Sequence, residues 1–311
     1  MAGGKGVSVS TWNDEQQLRL AQDGSGDTPE AAPRKPKKRR SGKGDEQPLI
    51  PAPTPPPDDS RAVRVVYVGC EGESTEPDYL NHLNARFGDG SGYEGQKFRI
   101  QPVYKKNGHT PAEAVAAVRD TAMEDDAWAM FDRDAHTDIP KALREAAEDS
   151  TEVCFSHPSF ELWLLLHFQD FGGRQSGKNK DILEKLRKAH PAFKKFDTKN
   201  DKSVKDDRRA ALDEDGLLAE AVSRAKRLVS QCEHGSCKAS NAKTNRFSRD
   251  SPPKTTPAWA ARSGHAHDCE TLRRDPSTDV WRLIVSLGIV KDSSRTATNR
   301  GHSYSAGAWD V

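Results

Sequence analysis

Three acidic residues stand at the ends of short apolar runs. Glu71 follows Val63–Gly69 and Cys70, and is itself followed by Gly72, Glu73 and, further on, Glu76. Asp132 and Asp134 follow Trp128–Phe131, with Arg133 between them. A carboxylate at the end of a buried strand is costly unless it meets a cation. If strand geometry continues, Asp132 and Asp134 share a face, roughly 6 to 7 Å apart. Hard divalent ions such as Mg2+ or Mn2+ take oxygen ligands of this kind. A metal held there would polarise a phosphate and steady its leaving oxygen, which is the chemistry of phosphodiester cleavage. Acids in solvated loops are common, so neither cluster carries the argument alone; their joint placement does.

Other residues bear on the same site. Glu161 lies inside the apolar run Phe160–Phe168 and either joins an exposed stripe or points at the acids. His157, just before Pro158, is expected to face substrate; His136 is ambiguous, and His167 is read as structural. Arg133 is expected to face away from the acids, with a phosphate contact as the alternative. Gly172–Lys178 has the spacing of a phosphate-binding loop, but Asn179 replaces the required Ser or Thr, and a helix rather than a strand precedes it. Arg174 and Lys178 would instead contribute to a phosphate-backbone surface, or to a solvated face. Cys232, Cys237, His265 and Cys269 could form a structural Zn2+ site. Their spacing is irregular and lacks a CxxC pair, so chance clustering in a polar loop is the simpler account.

The elements that would carry these residues alternate. Strands are expected at 63–69, 98–104, 128–131 and 151–155, with helices after each. Pro102 suggests that the second strand lies at an edge. Ser74 or Thr75 is expected to cap the first helix, and Pro77 suits its first turn. Alternation of this kind argues for an α/β fold with a mostly parallel sheet flanked by helices, and ligands bind such sheets at the carboxyl ends of the strands. The acids are there. Beyond Gly172 the chain becomes helical and basic, with helices expected at 180–189, 216–230 and 276–289, and a polar connection over 231–270.

Composition sets limits. The chain has 311 residues, 34% of them hydrophobic, and a formal net charge of +1; its mean hydropathy is −0.86. Residues 1–60, with the basic run Arg34–Lys43 and the prolines from Pro51 to Pro57, cannot bury enough surface to fold and read as a disordered tail. The chain from 291 to 311 reads as a second flexible tail. Five cysteines without a regular framework argue against a secreted disulfide scaffold. No run is long enough for a membrane span, and no secretory leader is evident, so a cytoplasmic location is expected. The expected organisation is a tail (1–60), a catalytic domain (61–171), a helical extension packed on it (172–290) and a tail (291–311).

Three stretches resemble a known family. Val66–Glu76 (VYVGCEGESTE), Phe131–Asp134 (FDRD) with Ser156–Phe168 (SHPSFELWLLLHF), and Pro276–Val280 (PSTDV) are together similar to the motifs of the RloB-like family, over roughly residues 61–288. That family is a branch of TOPRIM-type domains. The resemblance implies a TOPRIM-like sheet in which Glu71, Asp132 and Asp134 bind Mg2+ or Mn2+ for catalysis, with Glu76 as an accessory acid. It also implies a nuclease of bacterial anti-phage loci, acting on DNA or structured RNA such as tRNA, beside an ABC/AAA-type ATPase encoded nearby. His157 and Ser159 depart from the family pattern, which often has Asn and Cys at these places. The alternatives are a non-catalytic module that binds nucleic acid or the ATPase, and another metal-dependent phosphoryl-transfer enzyme.

Overall fold

The structure is a computed structural model that describes residues 63–176, 178–244 and 255–291. The tails expected over 1–60 and 291–311 lie outside the described residues, apart from Lys291. In chain order the regular elements are β1 (Arg64–Cys70), α1 (Thr75–Phe87), β2 (Phe98–Val103), α2 (Pro111–Ala122), β3 (Asp126–Asp132), α3 (Ile139–Glu148), β4 (Glu152–His157), α4 (Glu161–Phe168), α5 (Lys180–Ala189), α6 (Asp207–Leu212), α7 (Leu217–Ser230), α8 (Thr256–Ala260), β5 (Ser277–Thr278) and α9 (Val280–Ser286).

The five strands form one sheet in the order β2-β1-β3-β4-β5. The first four run parallel and β5 is antiparallel to β4. Pro102 does lie on the edge strand, where its missing N–H breaks no ladder. Side chains alternate across the sheet, as a period of two requires. Val66, Val68, Cys70, Trp128, Met130 and Cys154 enter the larger core, which also takes side chains from α1, α4, α5, α7 and α9. Ala127, Ala129, Phe131, Val153 and Phe155 enter the smaller one, against α2, α3 and Trp259 of α8. Apart from α8, the helices of the C-terminal half that reach the sheet therefore pack on the same face as α1.

Local sequence explains several boundaries. Thr110 and Glu113 form a complete capping box at the start of α2, with Pro111 in its first turn. Gly69 lets α2 lie close to β1, since a Cβ there would sit 2.3 Å from the carbonyl oxygen of Ala114. Two expectations are corrected. Ser74 makes no capping hydrogen bond, and the Thr75 hydroxyl donates to the Lys202 carbonyl at 3.0 Å instead. Ser277 and Thr278 do not begin the last helix; they pair with His157 and Ser156 as β5, and the helix starts at Val280.

A buried ion network joins the sheet to the C-terminal segment. Glu152 of β4 accepts from Arg282 of α9 at 2.6 Å and also pairs with Arg262. Arg282 donates to the carbonyls of Val153 and Lys243, which leaves its guanidinium well satisfied although buried. No helix among the described residues is long and apolar enough to cross a membrane.

Candidate metal centre

β1 and β3 are neighbours in register, Cys70 beside Met130. The ladder continues one step, with the Glu71 N–H donating to the Met130 carbonyl at 3.0 Å. Glu71 is thereby set against the end of β3. Its Oε2 accepts from the backbone N–H of Asp132 at 2.8 Å, and its Oε1 lies 2.8 Å from His136 Nε2. Glu76, on the first turn of α1, folds back so that Oε1 accepts from the Gly72 N–H at 3.1 Å. A Cβ on Gly72 would sit 2.3 Å from Glu76 Oε2, so glycine is what lets this carboxylate lie against the loop.

These residues line an open cleft of about 450 Å³ at the carboxyl ends of the parallel strands. Among the described residues its carboxylates are those of Glu71, Glu73, Glu76, Asp132, Asp134 and Glu161, and its one ammonium is that of Lys202. Glu161 opens α4, is buried, and is held by Lys202 at 3.2 Å and Asn179 at 3.3 Å. The loop after β2 closes the other side. His109 donates its N–H to the Glu71 carbonyl at 2.8 Å, and Asn107 N–H donates to Glu73 at 2.8 Å.

Burial and crowding of like charge dominate the electrostatics. Burial pushes the Glu76 carboxyl up to about 7, with Glu161 and Glu71 adding to it. Asp132 is raised well above the ordinary carboxylate range, first by burial and then by Glu71, Glu76 and Glu161. Glu71 and Asp134 are raised too, chiefly by desolvation. Such a site holds protons it would release to a divalent cation, and its oxygen-rich donors fit a hard ion.

Of the expected ligands, Glu71, Asp132, Asp134 and the accessory Glu76 all line the cleft. They are not equivalent. Ligand atoms of Glu71, Asp134 and His136 lie within 4.8 Å of one another, a tight cluster at the mouth. Asp132, buried at the end of β3, lies deeper, beside Glu76 and Glu161. The expected strand alternation stops at Asp132, because Asp134 sits in a turn with φ of +25°.

Of the residues expected to face substrate, Glu161 lines the cleft, and Arg133, His157, Arg174 and Lys178 do not. Arg133 instead closes its own turn, donating to the carbonyls of Asp134 and His136. His157 is buried, with Nε2 3.6 Å from Asp275 Oδ2, because the end of β4 turns it toward the β5 side. Arg174 pairs with Glu233, and Lys178 is exposed. The glycine-rich loop does hold an anion, but one of its own chain: the N–H groups of Gln175 and Ser176 donate to Asp275 Oδ2 at 2.8 and 2.6 Å. Lys202, His109, Asn107 and Asn200 line the cleft and escaped the sequence analysis. A lysine in a polar segment carries no mark of its distant partner. Away from the cleft, Cys232, Cys237, His265 and Cys269, dispersed in sequence, are brought together.

A family model described as RloB-like protein matches residues 66–287. The chain belongs to the RloB-like family. That family is a TOPRIM-related domain, and the mostly parallel sheet flanked by helices, with a helix-rich C-terminal half, is consistent with TOPRIM-like architecture. Searches of curated proteins and of solved structures found no match. RloB-like membership, together with the acidic and histidine cluster, supports metal-dependent nuclease chemistry in general.

Proposed function

We propose that this protein is a Mg2+- or Mn2+-dependent nuclease that cuts phosphodiester bonds of DNA or of structured RNA such as tRNA. The observation that carries this reading is the convergence of the carboxylates of Glu71, Asp132 and Asp134 on one cleft at the strand ends, facing one lysine. Glu71, Asp134 and His136 would hold the ion at the mouth, with Asp132 behind them. When bound, such an ion would supply charge neutralisation on phosphate oxygens and would acidify a water molecule.

The chain's own residues do the rest. Asp132 N–H and His136 hold the Glu71 carboxylate in a single orientation before any ligand arrives. Lys202 offsets part of the negative charge and is placed to meet a phosphate. Glu76 can take or give a proton near neutral pH. The cleft is open, and exposed Lys106 and Lys199 stand next to its lining residues Asn107 and Asn200. Such a rim suits a polymer backbone better than an enclosed small molecule.

From the family resemblance we further propose cytoplasmic action in bacterial anti-phage defence, with a neighbouring ABC/AAA-type ATPase as partner. The test is incubation of the purified protein with supercoiled plasmid and with total tRNA, in Mg2+ or Mn2+, with and without that ATPase. Metal-dependent cleavage of one substrate supports the nuclease reading and selects its class. Intact plasmid and tRNA under all these conditions, from protein that binds Mn2+, would contradict it.

A further inference from the structure

Cys232 and Cys237 follow α7, and His265 and Cys269 lie beyond α8, with none of them in the acidic cleft. We propose that these four residues form a structural zinc site. Their ligand atoms all lie within 4.8 Å of one another. Cys232 Sγ is 3.7 Å from Cys269 Sγ, Cys237 Sγ is 3.3 Å from His265 Nδ1, and Cys269 Sγ is 3.7 Å from the same nitrogen. Zinc–sulfur bonds of about 2.3 Å and zinc–nitrogen bonds of about 2.0 Å, set tetrahedrally, require sulfur pairs about 3.8 Å apart and sulfur–nitrogen pairs about 3.5 Å apart. The three separations fall within about 0.3 Å of those edges. They are far from a disulfide, whose sulfurs are about 2.05 Å apart, and all the cysteines are free.

The surroundings fit thiolates around a cation. The Ala266 N–H points at Cys237 Sγ at 3.4 Å, a backbone donor of the sort that steadies a ligating sulfur. Cys237, His265 and Cys269 are buried. Three sulfurs and one imidazole fill a tetrahedral set, so the site has no open position for a substrate and selects a soft, four-coordinate ion over Mg2+.

The local fold also needs a fastening. From Gln231 to Asp275 the regular structure is limited, among the described residues, to a five-residue helix and short 3-10 turns at Ala239–Asn241, Ala261–Ser263 and Thr271–Arg273. The apolar cluster here consists of Val229, Cys237 and Cys269, with Cys232, Ala239 and Ala266 against it. Apart from Trp259, which is buried in the smaller core, the described part of this segment buries little apolar area. A metal joining Cys232 and Cys237 to His265 and Cys269 closes the segment on itself. It thereby holds Lys243, whose carbonyl receives Arg282, and Arg274, which donates to the Cys269 carbonyl at 3.0 Å.

Zinc content of the full-length protein, purified without chelator or metal-affinity resin, is the first measurement, with one zinc per chain expected and its loss in Cys237→Ser and Cys269→Ser. Replacement of the metal by Co2+ in the wild-type protein is the second and does not depend on variant folding. Tetrahedral thiolate coordination gives intense visible bands and a sulfur-to-cobalt charge-transfer band, whereas Co2+ in the oxygen-rich cleft absorbs faintly. Folded wild-type protein that carries no zinc and shows no such bands with Co2+ would overturn the proposal. So would an intact mass showing Cys232 and Cys269 joined by a disulfide.

Discussion

The Glu71 carboxylate accepts a 2.8 Å hydrogen bond from the backbone N–H of Asp132. One strand end thus orients the acid of its neighbour, and the two cannot shift independently. The Glu71→Gln variant keeps the shape and loses the charge. Its cleavage rate should fall on the order of 100-fold or more, with an unchanged circular dichroism spectrum. A rate within a few-fold of wild type would remove Glu71 from the site.

Metal binding should tighten with pH. The Glu76 carboxyl is raised from the ordinary 4.5 to about 7, chiefly by burial. Between those values the folded protein binds more protons than the unfolded chain, so the metal-free protein loses stability as pH rises through this window. A divalent ion replaces those protons, and its binding strengthens as they leave. The rise in Tm on adding Mg2+ should therefore be larger at pH 8 than at pH 6. Equal shifts would show that protons and metal do not compete in the cleft.

Lys202 is the counter-charge of the metal-free state. Replacing it by Met leaves the buried Glu161 with Asn179 alone. The lysine side chain is 43% exposed, so solvent screens much of the pair, and a loss of about 1 kcal/mol is expected. Mg2+ should recover most of that loss, and a Tm deficit untouched by Mg2+ would mean that Lys202 acts through packing.

Gly69→Ala tests how closely α2 must approach β1. The new methyl would strike the carbonyl of Ala114, a backbone atom that cannot rotate away. A destabilisation of about 1 to 3 kcal/mol is expected by chemical denaturation. Since Glu71 lies two residues on, activity should fall as well; an undisturbed Tm would show that the helix can slide.

The parts of this site that could be read from sequence are those set by local pattern. Val66 and Val68 announce a buried strand, and the acid after it must meet the strand's open end; the same holds for Met130, Phe131 and Asp132. Glu161 was readable as far as its conflict with an apolar helix. What could not be read depends on where the chain turns. His157 lies two residues past Phe155, yet the end of β4 aims it at Asp275. Lys202 reaches the cleft because Thr75 binds its carbonyl, a contact across more than a hundred residues. The two residues of β5 are too few to show a period. The cysteines and His265 look scattered in sequence, because their proximity arises only when the segment after α7 folds back.

The most direct test compares Asp132→Asn with the wild-type protein at equal concentration, on the cleaved substrate, in Mg2+ and in Mn2+. Replacing a buried carboxyl that is costly to ionise by a neutral amide should leave the metal-free protein at least as stable as wild type. The account predicts metal-dependent cleavage by the wild type, and a folded variant of equal or higher Tm that does not cut. Cleavage by Asp132→Asn at the wild-type rate would contradict it.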